Sequence, residues 1–413
     1  MIRVAEALSH ILGDVQPLGL EKVHILNALG RVIGEDIHAS RDIPPKDNSA
    51  MDGYAIRAVD SMEAGPTNPV RLRIIEDIPA GSVPRKTIGP GEAARIMTGA
   101  PLPVGADAIV RMEDTTRDGE WVTISAPSRA GHDIRMAGED VKGGDVVIPK
   151  GELLRPAEIG MMATLGRSFI YVHQRPVVAV ISTGDELVDI DEEPSPWKII
   201  NSNGYSNMSQ VADCGAIPIY IGIARDKKED LAEKFNAALR ADVIVSSGGV
   251  SLGDYDFVKD VIQEPGNRMH FWQVAMRPGK PLVYGRVHGK PFFGLPGNPV
   301  SSMVSFEQFV RPALLKMMGH VNLYRQTIRV ILGEDIAKTP GLTHFVRACV
   351  DWHDGRYRIV TTGDQGSGIL KSMVKANGLI VLPEDATAVR KGDEVTVQLI
   401  DHSLCMTSEP QYL

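Results

Sequence analysis

The chemistry-bearing residues of this 413-residue chain gather where apolar runs end. The clearest case is 241–259, ADVIVSSGGVSLGDYDFVK. There the β-branched run 243–245 gives way to Ser246, Ser247, Gly248 and Gly249, small residues that let backbone approach a ligand closely, as at the end of a buried parallel strand. Asp254 and Asp256 follow where a helix is expected to begin; they can hold a divalent cation against phosphate oxygens or cap that helix. Other run ends share this character: Ser182-Thr183-Gly184-Asp185-Glu186, Arg225-Asp226, Arg277-Pro278-Gly279-Lys280-Pro281 and Gly294-Leu295-Pro296-Gly297-Asn298-Pro299. Singly, Thr183, Asp185 or Asn298 would read as helix caps, and Gly248-Gly249 as a turn. Together they predict one pocket. Its glycine amides and hydroxyls bind oxyanions, its Arg277 and Lys280 neutralise charge, and its acids hold a metal.

Several familiar chemistries are absent. No GxGxxG or GxxxxGK[ST] is present, so neither a dinucleotide fingerprint nor a Walker loop applies, and no HExxH supports a zinc hydrolase. Ser251 lacks an evident base, which argues against a nucleophilic serine. Two other stretches stand out as polar loops: 47–55, after Pro44-Pro45, and the strand exit 96–103.

The elements that must position these residues follow from periodicity. Val4, Ala7, Leu8 and Ile11 share one helical face, and a second short helix is expected at 24–29. Short β-like runs at 70–75, 108–112, 121–125 and 145–148, broken by Pro and Gly, predict a β-rich domain. The helix at 155–165, opened by Pro156, is expected to pair with the N-terminal helix, which would make the β-rich domain an insertion. From 174 to 320 strand and helix alternate as in a doubly wound α/β domain, whose ligands bind outside the carboxyl ends of its strands. After 324 only strand-like runs remain, a small closed β-domain.

Composition sets the class. With 43% hydrophobic and 23% charged residues the chain reads as a globular protein of about two to four domains. A net charge of −8, with Lys and Arg scattered, argues against nucleic-acid binding. Cys214, Cys349 and Cys405 lie far apart, which excludes a disulfide framework and fits a reducing cytosol. The first residues form an amphipathic helix, not a signal sequence, and no apolar run approaches membrane-spanning length.

The set NSAMDGYA (48–55), IMTGAPLP (96–103), GED (138–140), STGDEL (182–187), NSN (201–203), SSGGVSLGDYDFVK (246–259), PGKP (278–281) and GLPGNPVSS (294–302) resembles the molybdopterin molybdenumtransferase family, MoeA in bacteria and the gephyrin E domain in animals. The motifs occur in family order, and HFVRA (344–348) and GDQGSGIL (363–370) extend the match into the last domain. The resemblance implies an elongated four-domain subunit: helical pieces 1–26 and 149–173, an inserted β-rich domain 27–148, an α/β molybdopterin-binding domain 174–322, a C-terminal β-barrel 323–402, and a tail 403–413. It also implies a homodimer that takes adenylylated molybdopterin and molybdate, cleaves the adenylate with Mg2+ or another divalent cation, and releases molybdenum cofactor and AMP.

Carried over by position, the family's functional residues fall on Asp52, Thr98 and Asp140, on Glu186, Asp226, Asp256, Pro296 and Pro299, and on Arg347 and Ser367. Glu186, Asp226 and Asp256 are assigned to metal and pyrophosphate, and Asp52 and Asp140 to orienting or activating the reacting groups. Arg347 and Ser367 are assigned to a molybdate oxyanion site. Ser246, Gly248, Gly249, Ser251, Arg277, Lys280 and Asn298 complete the expected substrate contacts. Many relatives carry lysines where this chain has Gln273 and Arg277, and a guanidinium fork does not hold an oxyanion as an ammonium does. The rival activities are molybdopterin adenylylation, the step before insertion, and a non-catalytic scaffold. Expected partners are the adenylyltransferase and acceptor molybdoenzymes, with neither nucleic acid nor membrane.

Overall fold

The computed structural model describes residues 1–249, 267–353, 356–401 and 404, and they pack as two compact units. The larger comprises Met1–Val23, Gly30–Gly34 and Tyr171–Leu413; the smaller comprises His24–Leu29 and Glu35–Ile170. Among the described residues no helix is long and apolar enough to cross a membrane.

The larger unit begins with α1 (Val4–Asp14). Its α/β region follows as β1 (Val177–Thr183), α2 (Ser202–Asp213), β2 (Ile217–Ala224), α3 (Lys228–Ala238), β3 (Val243–Ser247), β4 (Arg268–Gln273), β5 (Pro281–Val287) and β6 (Lys290–Leu295). It closes with α4 (Pro299–Ser305), a π-helical turn (Phe306–Val310) and α5 (Arg311–Met317). The sheet order is β2-β1-β3-β6-β5-β4, parallel from β2 to β6 and antiparallel beyond. Along β1, Val178 and Val180 enter one core while Ala179 and Ile181 enter the other, because successive strand residues face opposite sides. That is why the run is apolar without alternation. One core holds Leu231, Phe235 and Ala238 of α3; the other holds Val211 of α2 and the fully buried Phe306 and Phe309.

The apolar face of α1 is used in this second core, where Ala7 and Ile11 are buried. The Tyr284 hydroxyl donates to Asp14 (2.6 Å) and the Arg286 Nε to both Asp14 oxygens (3.0 and 2.9 Å), fixing the end of α1 to β5. The helix expected as its partner, Pro156–Thr164, belongs to the smaller unit. Periodicity identified an apolar face correctly but carried no information about which core would cover it.

The last region is a closed five-stranded barrel: β7 (Thr327–Leu332), β8 (Thr343–His353), β9 (Arg356–Thr361), β10 (Gly378–Leu382) and β11 (Glu394–Leu399), with α6 (Lys371–Lys375) between β9 and β10. The order β8-β9-β7-β11-β10 returns to β8, so no edge is left unpaired. Val346, Ala348 and Val350 of β8 fill the interior, which turns Arg347 to the outside, under the 362–376 excursion.

In the smaller unit a six-stranded sheet runs Ala108–Arg111, Gly53–Ile56, Glu92–Ile96, Val70–Ile78, Trp121–Ile124 and Thr115–Asp118. The short helix expected at 24–29 is a single 3-10 turn, Ile25–Asn27.

Candidate functional site

The α/β strand order reverses direction between β1 and β3, because the chain goes from β1 outward to β2 and then returns to the other side. A crevice opens at the carboxyl ends of such a pair. Here it is lined by small polar residues: Ser182 pairs with Ser247 across the two strands, and Ser247 Oγ donates to Ser182 Oγ at 3.3 Å. Gly248 has φ +89°, and a Cβ there would lie 2.8 Å from Thr183 Oγ1, so only glycine lets β3 turn away at this point. The loop after β6 closes the floor, since a Cβ on Gly297 would lie 3.7 Å from the Gly248 Cα. The NSN motif explains itself here. Asn201 caps α2 by accepting from Gly204 N–H (3.0 Å), and Asn203 Nδ2 donates to the Gly297 carbonyl (2.8 Å). Asn203 Oδ1 and Ser246 Oγ are buried polar atoms without a hydrogen-bond partner.

On the far side of the Pro296–Asn298 loop lies a pocket of about 450 Å3, within the ordinary range for small ligands. It brings together Arg277, Lys280, Pro296, Asn298 and Ser367, all expected from sequence, with Ser301 and Gln365, which were not. Arg277 and Lys280 are exposed to it. Asn298 stands at the N-cap position of α4 yet makes no capping bond, so its amide is not spent on the helix. Pro299 opens α4, and the Val300 N–H donates to the Ser367 carbonyl (3.1 Å), seating the barrel loop on this helix. Ser301 was hidden because a serine in a first helical turn carries no signal of its own, and Gln365 because it acts through a loop from another domain.

The local potential is positive. His344 is pushed down to about 4 by burial and then by Lys338 and Arg277. Arg347, 1% exposed, donates through Nε to Ser372 Oγ (3.1 Å) and through Nη2 to the Gly366 carbonyl (3.0 Å). Gln365 clasps its backbone, accepting from Arg347 N–H (2.9 Å) and donating to its carbonyl (3.1 Å). These two donors of the expected oxyanion ligand are engaged in bracing the loop that presents Ser367.

The acids are placed less compactly. Asp226 Oδ2 accepts from the Asp185 N–H and Asp185 Oδ1 from the Asp226 N–H, both at 3.2 Å, so this pair ties the ends of β1 and β2. Glu186 is exposed beside them. Among the described residues no three His, Cys, Asp or Glu converge on one point. Asp256 and Ser251 lie outside the described residues, and Gln273, at the end of β4, is half-buried.

In the smaller unit the three motif loops meet. Ser49 exchanges backbone bonds with Ala100 (3.0 Å) and Gly99 (2.8 Å), Asn48–Ser49 pairs with Ile134–Arg135, and Asp47 accepts from the Ala137 N–H (2.7 Å). Asp140 joins them through its N–H to the Ile43 carbonyl (3.0 Å). Asp52 Oδ1 accepts from the Thr98 N–H (2.7 Å) and Thr98 Oγ1 (2.8 Å). These bonds, the backbone one foremost, hold the Asp52 carboxyl below its ordinary value of 3.8. Its depressed value means that whatever the carboxylate stabilises is present above pH 3.8 and is lost only as pH falls through the lower folded value. Thr98→Val should therefore raise the Asp52 titration midpoint part of the way to 3.8, read by carboxyl-carbon NMR, because the N–H bond survives. An unchanged midpoint would remove the hydroxyl from this account.

Comparison with known proteins agrees with this layout. Residues 2–166 match the model "MoeA N-terminal region (domain I and II)", 179–316 match "Probable molybdopterin binding domain", and 329–400 match "MoeA C-terminal region (domain IV)". The chain is similar to a molybdopterin molybdenumtransferase of Staphylococcus aureus strain COL, 36% identical over 97% of this chain and 96% of that one. It is likewise similar to molybdopterin molybdenumtransferase 2 of Mycobacterium tuberculosis strain CDC 1551, 41% identical over 91% and 94%. The crystal structure of a molybdopterin biosynthesis moeA protein from Pyrococcus horikoshii OT3 superposes with a TM-score of 0.83 at 33% identity, covering 97% of this chain and all of that one.

Proposed function

Because the chain belongs to the molybdopterin molybdenumtransferase (MoeA) family, and so is a transferase of molybdenum cofactor biosynthesis, we propose that it inserts molybdate into adenylylated molybdopterin, cleaves the adenylate with a divalent cation, and releases molybdenum cofactor and AMP. The observation that carries this reading is the positive pocket of Arg277, Lys280, Ser301 and Ser367 beside the β1/β3 crevice. Two cations and two hydroxyls suit a tetrahedral dianion, and fixed donors aimed at developing charge need no reorganisation during reaction. The crevice takes the pterin and its pyrophosphate in this reading, with Asn203 Oδ1 and Ser246 Oγ as the acceptors that substrate donors satisfy. Asp52, Thr98 and Asp140 orient the reacting groups.

Glu186 and Asp226 are hard oxygen donors at strand ends, which fits Mg2+, an ion that keeps one or two carboxylates and takes its other ligands from phosphate and water. Held by them with Asp256, the cation would neutralise charge on the pyrophosphate. A homodimer in the cytosol, receiving substrate from the adenylyltransferase and passing cofactor to acceptor molybdoenzymes, completes the reading.

The test is to supply adenylylated molybdopterin, Mg2+ and molybdate and follow AMP and cofactor. AMP released together with cofactor is expected. Pyrophosphate release from ATP and molybdopterin would replace this reading with adenylylation, and no turnover of either kind would leave the scaffold. The dimer has its own test. Asp52→Ala and Lys280→Ala chains, each inactive alone, should regain roughly a quarter of wild-type activity after exchange, since about half the dimers are mixed and each has one intact site. No recovery with heterodimers present would mean that one chain supplies the whole site.

A further inference from the structure

A second cleft, also of about 450 Å3, opens in the larger unit between α2, the helical run from α4 through the π-helical turn, and the barrel. It shares no lining residue with the oxyanion pocket. Its floor is apolar, built from Met303, Phe306, Met373, Leu379 and Ile400, and its size suits a small organic molecule. Phe306 and Glu307 of this lining belong to the π-helical turn, a helix irregularity that recurs at functional sites.

The opposite wall is one face of α2, where Ser206, Ser209, Gln210 and Asp213 fall at helical spacing. This face offers acceptors. Ser206 Oγ donates its hydrogen to the Asn203 carbonyl (3.2 Å) and Ser209 Oγ to the Tyr205 carbonyl (2.8 Å), which leaves oxygen lone pairs to a ligand. Gln210 Nε2 donates to the Met303 carbonyl (3.1 Å) while its Oε1 has no partner. Three carboxylates, Asp213, Glu307 and Asp401, line the cleft against two guanidiniums, Arg311 and Arg325. Arg325 is already bonded to Glu307 (3.0 Å) and Asp213 (3.2 Å). Burial pushes the Cys214 thiol up to about 12, so it keeps its proton at neutral pH and the cleft has no nucleophile there.

We propose that this cleft is a second ligand site, independent of molybdenum insertion, that takes a small amphipathic organic cation: an apolar or aromatic body on the Met303–Phe306 floor and an amine or amidine on the oxygens of α2. Benzamidine is the probe, with benzoate and benzamide as the anionic and neutral molecules of similar shape. Methyl NMR of Met303 and Met373 in the full chain reads binding. Benzamidine should shift both methyls saturably and bind at least about tenfold more tightly than either control, the scale of one charge-assisted hydrogen bond. Asp213→Asn should weaken it about tenfold, and Ser209→Trp, at an exposed position on the mouth, should abolish it at unchanged melting temperature. If Asp213→Asn lowers the melting temperature, Ser209→Trp alone decides. Benzoate binding as well as benzamidine, or benzamidine shifts that survive Ser209→Trp, would overturn the proposal.

Discussion

Arg347→Met should lower the unfolding free energy by roughly 3–6 kcal/mol, the worth of two buried hydrogen bonds from a charged donor. The loss arises because the Gly366 carbonyl and Ser372 Oγ would face an apolar side chain of similar length. The same variant should raise the molybdate concentration for half-maximal cofactor formation about tenfold or more, because the loop that carries Gln365 and Ser367 into the pocket loses its brace. Arg347→Lys keeps the charge but replaces a fork by one point, so it should recover only part of both effects. Calorimetric melting and molybdate saturation, measured on the same preparations, separate two roles. A variant that melts like wild type yet no longer saturates would make the guanidinium an anion ligand.

That difference between brace and ligand marks how far the sequence could be read. The apolar runs of β1 and β3, and the small residues that end them, were legible because burial on both faces leaves no alternation and because the turn at Gly248 admits no side chain. The convergence of Arg277, Lys280, Pro296 and Asn298 followed from one rule about strand ends. The direction of Arg347 did not. Its neighbours Val346 and Ala348 face the barrel interior, and only the observed register of β8 puts the guanidinium under the excursion that follows β9. The Asp185–Asp226 exchange was equally invisible: Asp226 read as a metal ligand and Asp185, taken singly, as a helix cap, whereas each carboxylate serves the other's backbone. The partner of α1 was misjudged for a related reason, since an apolar stripe specifies burial but not its cover.

The largest loss of activity with an intact fold should come from removing both exposed cations of the pocket. Arg277 and Lys280 are solvent-facing, so truncating them leaves no buried group unsatisfied, and melting should change little. In the proposed reading they hold a dianion while charge moves on it, where losing one fixed electrostatic group costs about a hundredfold or more in rate. Lys280→Ala should therefore lower molybdate-dependent cofactor formation by about a hundredfold, and the double variant with Arg277→Ala should fall further. Arg277→Lys tests the geometry at this position. It supplies a point charge that keeps the neutralisation of the anion but removes the fork, so its rate should lie between wild type and Arg277→Ala. Raising salt should slow wild type more than the double variant, because exposed charges are the ones that ions screen. The decisive comparison is saturation by molybdate at fixed adenylylated molybdopterin. A double variant that saturates like wild type at an unchanged melting temperature would move the oxyanion site away from this pocket.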